Sequence, residues 1–85
     1  MEEEFYGIEF EGKVWNARHG GPFDRGSADS YYGRPEDPHF YTGKTGDGLV
    51  TADEMTSMEM FEYNAGYRYN EMYGDKKNYG GGRYD

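Results

Sequence analysis

The chain contains no cysteine and few of the residues from which most hydrophobic cores are built. Without cysteine it has neither a disulfide nor a thiolate metal ligand. Its branched aliphatic residues are only Ile8, Val14, Leu49 and Val50. A chain of 85 residues is short enough for its stability to be marginal. So few aliphatic residues, together with a net charge of −8, are typical of disordered segments.

The chain also lacks any long hydrophobic run. A membrane-spanning helix needs roughly 18–20 apolar residues, and no stretch approaches that length. The first residues, Met1-Glu-Glu-Glu4, are acidic, whereas a secretory signal begins with positive charge. We therefore expect a soluble, intracellular protein without a membrane partner.

Aromatic residues and methionines are the apolar material that is present. The chain has ten tyrosines, five phenylalanines, one tryptophan and five methionines. Because each aromatic side chain buries about 150–250 Å², a few of them can form a core where aliphatic residues are missing. We expect one small domain over residues 1–79, with a flexible glycine-rich tail at residues 80–85.

Basic residues are scarce in two stretches of the chain. Residues 1–12 hold five glutamates and no base, and residues 46–75 hold seven acidic residues against Arg68 alone. Nucleic-acid binding requires a basic footprint on the protein. The charge therefore argues against a nucleic-acid partner and favours a basic protein surface, with simple solubility as the alternative reason for it.

The N-terminal segment has the pattern of a β-hairpin. Apolar Tyr6, Ile8 and Phe10 alternate with other residues, and Glu11-Gly12 suits a tight turn before a return strand at residues 13–17. A two-residue turn places Ile8 opposite Trp15. We expect Tyr6, Ile8 and Trp15 to face the core.

The middle segment is rich in glycine, proline and tyrosine and reads as irregular but ordered. Ser27 is a candidate N-cap for a short helical turn at residues 28–32, which Gly33 would close. Two prolines hold residues 34–38 in an extended or turned form. Residues 39–42 have the composition of one more short strand.

The C-terminal half predicts the main helix. Thr51 with Glu54 and Thr56 with Glu59 both match a capping box, and we favour a break near Thr56 and an end at Gly74. The predicted fold is thus a small α+β domain: a hairpin, an irregular middle and one main helix. At helical spacing, one face of that helix and its opposite face are both apolar. The first face holds Met58, Phe61, Ala65, Tyr69 and Met72, and the second holds Met60, Tyr63 and Tyr67.

The residues from Thr45 to Met55 resemble the second half of an EF-hand calcium loop. In that register Asp47, Thr51 and Glu54 would be ligands. The first and third ligand positions fall on Gly43 and Thr45, so two carboxylates are missing. We therefore keep Asp47, Thr51 and Glu54 only as weak metal candidates and favour a turn that leads into a capped helix. His19 and His39, with nearby aspartates, lack a diagnostic metal spacing, and no cofactor motif is present.

Protein binding is the interpretation that the aromatic and arginine residues favour. Arg25 and Arg34 can pair with Asp24, Asp29 or Asp37 and stack on neighbouring tyrosines, which would give the middle segment a fixed shape for folding or for recognition. Tyr63 and Tyr67 would lie on the outer helix face, unless the central segment covers them. The predicted partner-binding residues are Tyr31, Tyr32, Tyr63, Tyr67, Arg25 and Arg34.

Four strings in the chain look like a group of small proteins encoded by tailed bacteriophages. They are Gly20-Gly-Pro-Phe-Asp-Arg-Gly-Ser-Ala-Asp-Ser-Tyr-Tyr-Gly-Arg34, Pro38-His-Phe-Tyr41, Asp53-Glu-Met-Thr56 and Tyr63-Asn-Ala-Gly-Tyr67. The similarity spans about residues 15–79 and departs at the glycine-rich end. The resemblance implies a phage context, and hence the cytoplasm of a bacterial host, but it carries no functional residues.

The leading expectation is a non-enzymatic accessory protein that binds a host or phage protein, because no catalytic motif is present. A related version is acidic mimicry of nucleic acid by the N-terminal glutamates and the helix acids. The alternatives from other classes are a small metal- or ligand-binding module and a structural component of the virion or its assembly. The sequence leaves the oligomeric state open.

Overall fold

Two short antiparallel hairpins and two helices make up the computed structural model, which describes residues 6–43 and 47–76. The predicted α+β single domain is confirmed, and the predicted tail at residues 80–85 lies outside the described residues. The elements, in chain order, are β1 (Gly7–Phe10), β2 (Lys13–Asn16), α1 (Pro22–Tyr31), β3 (His39–Tyr41), β4 (Leu49–Thr51), a 3-10 turn (Ala52–Glu54) and α2 (Ser57–Tyr73). No helix among the described residues is long and apolar enough to cross a membrane.

The first hairpin has the predicted register, with Ile8 opposite Trp15. Glu11 and Gly12 both have positive φ, 55° and 79°, as a type I′ turn requires. The Trp15 side chain is buried, and its Nε1 donates to the Phe10 carbonyl at 2.7 Å. Tyr6 was expected in the core but is 54% exposed. That expectation is wrong because the covering rings from the helices reach the turn end of the hairpin, where Phe10 and Trp15 lie.

Helix α1 begins earlier than the predicted N-cap at Ser27. Gly21 is the N-cap and Pro22 occupies the first turn, where a missing N–H costs nothing and the fixed φ suits a helix. Asp24 in that turn accepts a hydrogen bond from Gly20 N at 2.9 Å. The glycine–proline pair is therefore the start of the helix. The end is as predicted, because Gly33 has φ 72° and closes the last turn.

The second hairpin pairs β3 with β4, with Phe40 opposite Val50. The strand at His39 was predicted, but β4 was not. The three residues of β4 directly precede the 3-10 turn, so the sequence there was interpreted as the approach to a helix. Tyr41 N donates to Gly20 O at 2.8 Å and so ties this hairpin to the start of α1.

Helix α2 has the capping box predicted at Thr56. The Thr56 side chain accepts from Glu59 N, and Glu59 Oε1 accepts from Thr56 N at 2.9 Å. The residues before it form a separate 3-10 turn, so the predicted break is confirmed, as is the end of the helix at Gly74.

The two helices cross where each has a glycine. A Cβ atom placed on Gly26 would overlap the Tyr63 carbonyl and lie 2.9 Å from Tyr67 N. A Cβ atom on Gly66 would overlap the Phe23 carbonyl in the same way. The two backbones are therefore in direct contact, and this contact decides which side chains of α2 face α1.

Candidate protein-binding surface

An aromatic pair lies at the C-terminal end of α1. The rings of Tyr31 and Tyr32 meet edge to face with centroids 5.0 Å apart, and both side chains remain more than a third exposed. The chain then reverses direction, because Arg34 N donates to Asp29 O at 2.8 Å and Gly33 N donates to Ser30 O at 3.0 Å. This reversal brings the Arg34 guanidinium over the Tyr32 ring, 4.7 Å from its centroid.

The buried carboxylate of Asp29 holds the side chain of Arg34. Asp29 is 3% exposed and accepts from Arg34 Nη1 at 2.9 Å through Oδ1. Its other oxygen accepts from the Tyr63 hydroxyl, and His39 Nδ1 lies 3.8 Å from that oxygen. A buried charge is tolerated when it is paired and hydrogen-bonded in this way.

Tyr63 is fully buried beneath this network. Its hydroxyl donates to Asp29 and accepts from Asp37 N at 2.9 Å. Burial raises the pKa of Tyr63 well above its ordinary value, and the hydrogen bond to the Asp29 carboxylate raises it further. The expectation that Tyr63 lies on an outer face is wrong. Helix α1 and the segment around Asp37 cover it, which is the alternative that the sequence left open.

Tyr67, one turn further along α2, stays at the surface. Its hydroxyl donates to the Arg34 carbonyl, and its ring centroid lies 6.4 Å from that of Tyr63. We call the set Tyr31, Tyr32, Arg34 and Tyr67 the Tyr–Arg patch. It joins four of the six predicted partner-binding residues in one chain of contacts.

Arg25 does not belong to the Tyr–Arg patch. It pairs with Asp24 on its own turn of α1, with Nη2 and Nε at 3.1 and 3.3 Å from the same carboxylate oxygen. About 9 Å of helix separates Arg25 from Tyr31 at 1.5 Å per residue. The predicted pairing of Arg25 with Asp24 is present, and it reinforces the start of α1.

A second polar cluster was missed by sequence reasoning. Ser30 is fully buried, donates to Glu71 Oε2 at 2.6 Å and accepts from Asn70 Nδ2 at 3.0 Å. Lys76 Nζ donates to the Ser30 carbonyl at 3.1 Å and to Glu71. The hydrogen bond from Lys76 has the largest effect in lowering the pKa of Glu71, and the hydrogen bond from Ser30 lowers it further. The serine sits inside a helix with no motif around it, so only the helix crossing shows its role.

The weak metal candidates Asp47, Thr51 and Glu54 lie on β4 and the 3-10 turn or just before them. Thr51 ends β4 and its hydroxyl donates to Asp53 Oδ1 at 2.6 Å, while Glu54 belongs to the 3-10 turn and Asp47 precedes β4. Across residues 6–43 and 47–76, no three His, Asp or Glu side chains converge in a way that could hold a metal ion. His39, at the start of β3, has its Nδ1 2.8 Å from the Asp37 carbonyl.

Comparisons of the chain with protein-family models, with curated proteins and with solved structures found no match. The resemblance to small phage proteins stays a prediction from the sequence. The function is therefore argued from the Tyr–Arg patch and the charge of the chain.

Proposed function

We propose that this chain is a non-enzymatic accessory protein of a tailed bacteriophage. It acts in the cytoplasm of the bacterial host, where it binds a host or phage protein and modulates it. The observation that supports the proposal is the Tyr–Arg patch, in which an arginine held by a buried aspartate lies beside two exposed tyrosines.

The composition of the patch suits protein recognition. Tyrosine and arginine are the side chains that most often dominate binding energy at protein interfaces, because each buries a large area and still satisfies a polar group. Tyr31 and Tyr32 stand beside each other with their ring edges exposed, and Arg34 extends the same surface.

The patch is also ordered before any partner arrives. Arg34 is held by Asp29, and its carbonyl is held by the Tyr67 hydroxyl. Immobilising a flexible side chain costs about 0.5–1.5 kcal/mol on binding, and much of that cost for Arg34 falls on folding instead. A preordered patch therefore leaves more of the contact energy for affinity.

The charge of the chain indicates the kind of partner. A net charge of −8 attracts a basic protein surface and speeds the encounter with it. For a host target, occupation of a basic surface would inhibit the target or redirect it, because the bound acidic domain competes with whatever that surface normally contacts.

The experiment has a capture step and a reconstitution step. Tagged protein is used to capture a partner from bacterial lysate, and the partner is then purified and its affinity measured by calorimetry. Replacement of Tyr31 and Tyr32 by alanine should weaken binding by at least about ten-fold, as loss of interface anchors does. The control is Tyr6→Ala, which removes an even more exposed tyrosine from outside the patch.

Two results would overturn the proposal. One is the absence of any stoichiometric partner at low salt, where acidic steering is strongest. The other is a partner that binds the Tyr31→Ala/Tyr32→Ala variant as tightly as it binds the Tyr6→Ala control while both variants remain folded.

A structural role in a virion or its assembly is the second candidate. On α2, Met58 and Phe61 lie three residues apart and are 53% and 49% exposed, so together they form a small exposed apolar patch. A neighbouring subunit could cover them. Sedimentation that shows self-association, abolished by replacing both residues with serine, would favour this candidate over the first.

A further inference from the structure

The first hairpin and the last turns of α2 enclose an open cleft. One wall is the hairpin turn with its flanking residues, 9–14, and the other is formed by Tyr69 and Tyr73. We call it the turn cleft. Its volume of about 710 Å³ lies within the range of small-ligand sites in proteins. The cleft is therefore large enough to receive a small organic molecule.

Aromatic rings line the turn cleft. Phe10 is nearly buried and meets Tyr69 and Tyr73 edge to face, with centroids 5.3 and 6.1 Å apart. Tyr73 is 67% exposed, so much of its ring is open to a ligand. Aromatic rings pack well against one another in edge-to-face and offset arrangements. The cleft therefore suits a ligand that carries an aromatic ring.

The register of the hairpin decides which of its charges faces these rings. Lys13 is paired directly with Phe10 and so lies on the same face of the hairpin, whereas Glu9 lies on the opposite face. Glu11 in the turn is occupied by Arg68, whose Nη2 and Nε donate to its two oxygens at 2.6 and 2.9 Å. The charge that the hairpin presents to the rings is therefore the positive charge of Lys13.

The Lys13 ammonium contacts a ring but has no hydrogen-bond acceptor. Its Nζ lies 4.2 Å from the centroid of the Trp15 ring. Within residues 6–43 and 47–76, it forms neither a hydrogen bond nor an ion pair. Burial raises the pKa of Glu62 and the charge of Lys13 partly offsets this rise, but the two groups are not within ion-pair distance. The three N–H donors of Lys13 are thus available to a carboxylate that enters the cleft.

We propose that the turn cleft binds an aromatic carboxylate, in which a ring is joined to a carboxylate by a short chain. The ring packs against Phe10 and Tyr73, and the carboxylate accepts hydrogen bonds from the Lys13 ammonium. The net charge of −8 repels an anion at long range, but at about 0.15 M salt charges beyond about 8 Å are largely screened. The inference is independent of the Tyr–Arg patch, which lies at the C-terminal end of α1.

The test is an NMR titration of the full chain with 3-phenylpropionate at about 0.15 M salt. The matched probe is 3-phenylpropionamide, which has nearly the same shape and no charge. A ligand of this size should bind with a dissociation constant on the order of millimolar. The amide signals of residues 9–14 and 69–73 should shift, and the uncharged probe should bind at least roughly two-fold more weakly.

A second titration distinguishes the two sources of such a group. N-acetyl-phenylalanine carries the same ring and carboxylate with a peptide bond beside them, as at the C-terminus of a polypeptide. Tighter binding of this probe than of 3-phenylpropionate would identify a polypeptide C-terminus as the ligand. Weaker binding would identify a free aromatic acid.

Two variants locate the site. Lys13→Met keeps the apolar stem, and it should weaken binding of 3-phenylpropionate by roughly two- to five-fold while leaving binding of the uncharged probe nearly unchanged. Tyr73→Leu should weaken binding of both probes by roughly two-fold or more, through loss of the ring contact. The controls are Lys76→Met, which removes the same charge, and Tyr6→Leu, which removes an exposed ring, since both residues lie outside the turn cleft.

Four outcomes would overturn the proposal. They are equal binding of 3-phenylpropionate and 3-phenylpropionamide, shifts confined to residues outside the cleft, unchanged affinity in both Lys13→Met and Tyr73→Leu, and tighter binding of the cationic 3-phenylpropylamine. None of these results depends on whether the Tyr–Arg patch binds a protein, so the two proposals can fail separately.

Discussion

The two packed sides of α2 are built on different principles. Towards α1, Gly66 brings the backbones into contact, and the Tyr63 hydroxyl and the Asn70 amide nitrogen donate to Asp29 and Ser30 of α1. Towards the first hairpin, the contacts run through rings, with Phe61 against Trp15 and both Tyr69 and Tyr73 against Phe10. The first side is fixed by steric contact and hydrogen-bond geometry. The second is held by non-directional burial of aromatic surface.

The two sides of α2 also differ in what lies next to them on the protein surface. Hydrogen bonds to Asp29 and Tyr63 hold the exposed segment after α1 in one shape, and the Tyr–Arg patch stands on that segment. On the hairpin side, an open cleft remains that is lined by residues 9–14, Tyr69 and Tyr73. The side towards α1 thus supports the exposed Tyr–Arg patch, and the side towards the hairpin contains a cleft.

The largest expected effect is on the side towards α1. Replacement of Gly26 by alanine places a methyl group on the Tyr63 carbonyl, so the helices have to separate. Alanine favours a helix by about 1 kcal/mol over glycine, yet we expect a net loss of at least ~3 kcal/mol, near the limit of overpacking effects. Chemical denaturation measured by circular dichroism would show this as a large drop in the midpoint.

The matched control for that variant is Gly12→Ala. A Cβ atom on Gly12 meets nothing within 4 Å, and only its φ of 79° is unfavourable. The expected cost is about 1–2 kcal/mol. A Gly26→Ala variant as stable as Gly12→Ala would contradict the direct backbone contact of the two helices.

The next effect comes from the hydroxyl of Tyr63. Tyr63→Phe leaves Asp29 without one donor and Asp37 N without its acceptor, and should lower the free energy of unfolding by about 2 kcal/mol at neutral pH. Because the folded-state pKa of Tyr63 is raised, this contribution is complete below its ordinary value of about 10 and declines as the pH rises beyond it. Denaturation midpoints of both proteins from neutral to alkaline pH would measure this decline.

A constant difference between Tyr63→Phe and the wild type up to high pH would contradict the raised pKa. Tyr67→Phe is the control at the surface, where the hydroxyl donates to one exposed carbonyl and leaves no buried charge behind. It should cost less than Tyr63→Phe at neutral pH.

A third variant measures the side of α2 that faces the hairpin. Phe10 of the hairpin is 7% exposed and contacts the rings of Tyr69 and Tyr73. Phe10→Leu removes several carbon atoms but leaves an apolar side chain that the neighbouring rings can approach, so we expect a loss of about 1–2 kcal/mol. Adding one methyl group at Gly26 should therefore cost more than removing part of a ring at Phe10. The reverse order would refute the contrast between the two sides.

Local signals in the sequence were enough for much of the fold. The register of the first hairpin follows from its two-residue turn, and Thr56 and Gly74 carry the cap chemistry that bounds α2. Burial of Tyr63 and of Ser30 was not predictable in this way. Both depend on the contact of Gly26 with α2, which is set by tertiary packing and leaves no periodic pattern in the sequence.

The candidate surface was predictable in part for the same reason. The pairing of Arg34 with Asp29 and Tyr32 joins residues within a few positions of one another, so sequence spacing could indicate it. Arg25 was assigned to the same surface because of its residue type. Along α1, however, Arg25 lies more than one and a half turns before Tyr31, which is about 9 Å. Tyr63 was assigned to an outer face from its helical spacing alone. Only the position of the segment around Asp37 shows that Tyr63 is buried.

The smallest expected effect is at the ion pair that links the hairpin turn to α2. The Arg68 guanidinium donates to Glu11 and lowers the pKa of that carboxyl. Because the folded-state pKa is lowered, the ion pair stabilises the fold fully above the ordinary glutamate pKa of about 4.3. That stabilisation is lost as the pH falls below this value and through the folded-state pKa. Glu11→Gln should therefore lower the melting temperature slightly at neutral pH, less at high salt, and not at all in acid, because both partners are exposed. Melting curves at two salt concentrations and two pH values would test this, with Glu54→Gln as the exposed control. A drop as large as that of Tyr63→Phe would mean that a directed polar contact also fixes the hairpin side, and the contrast between the two sides of α2 would fail.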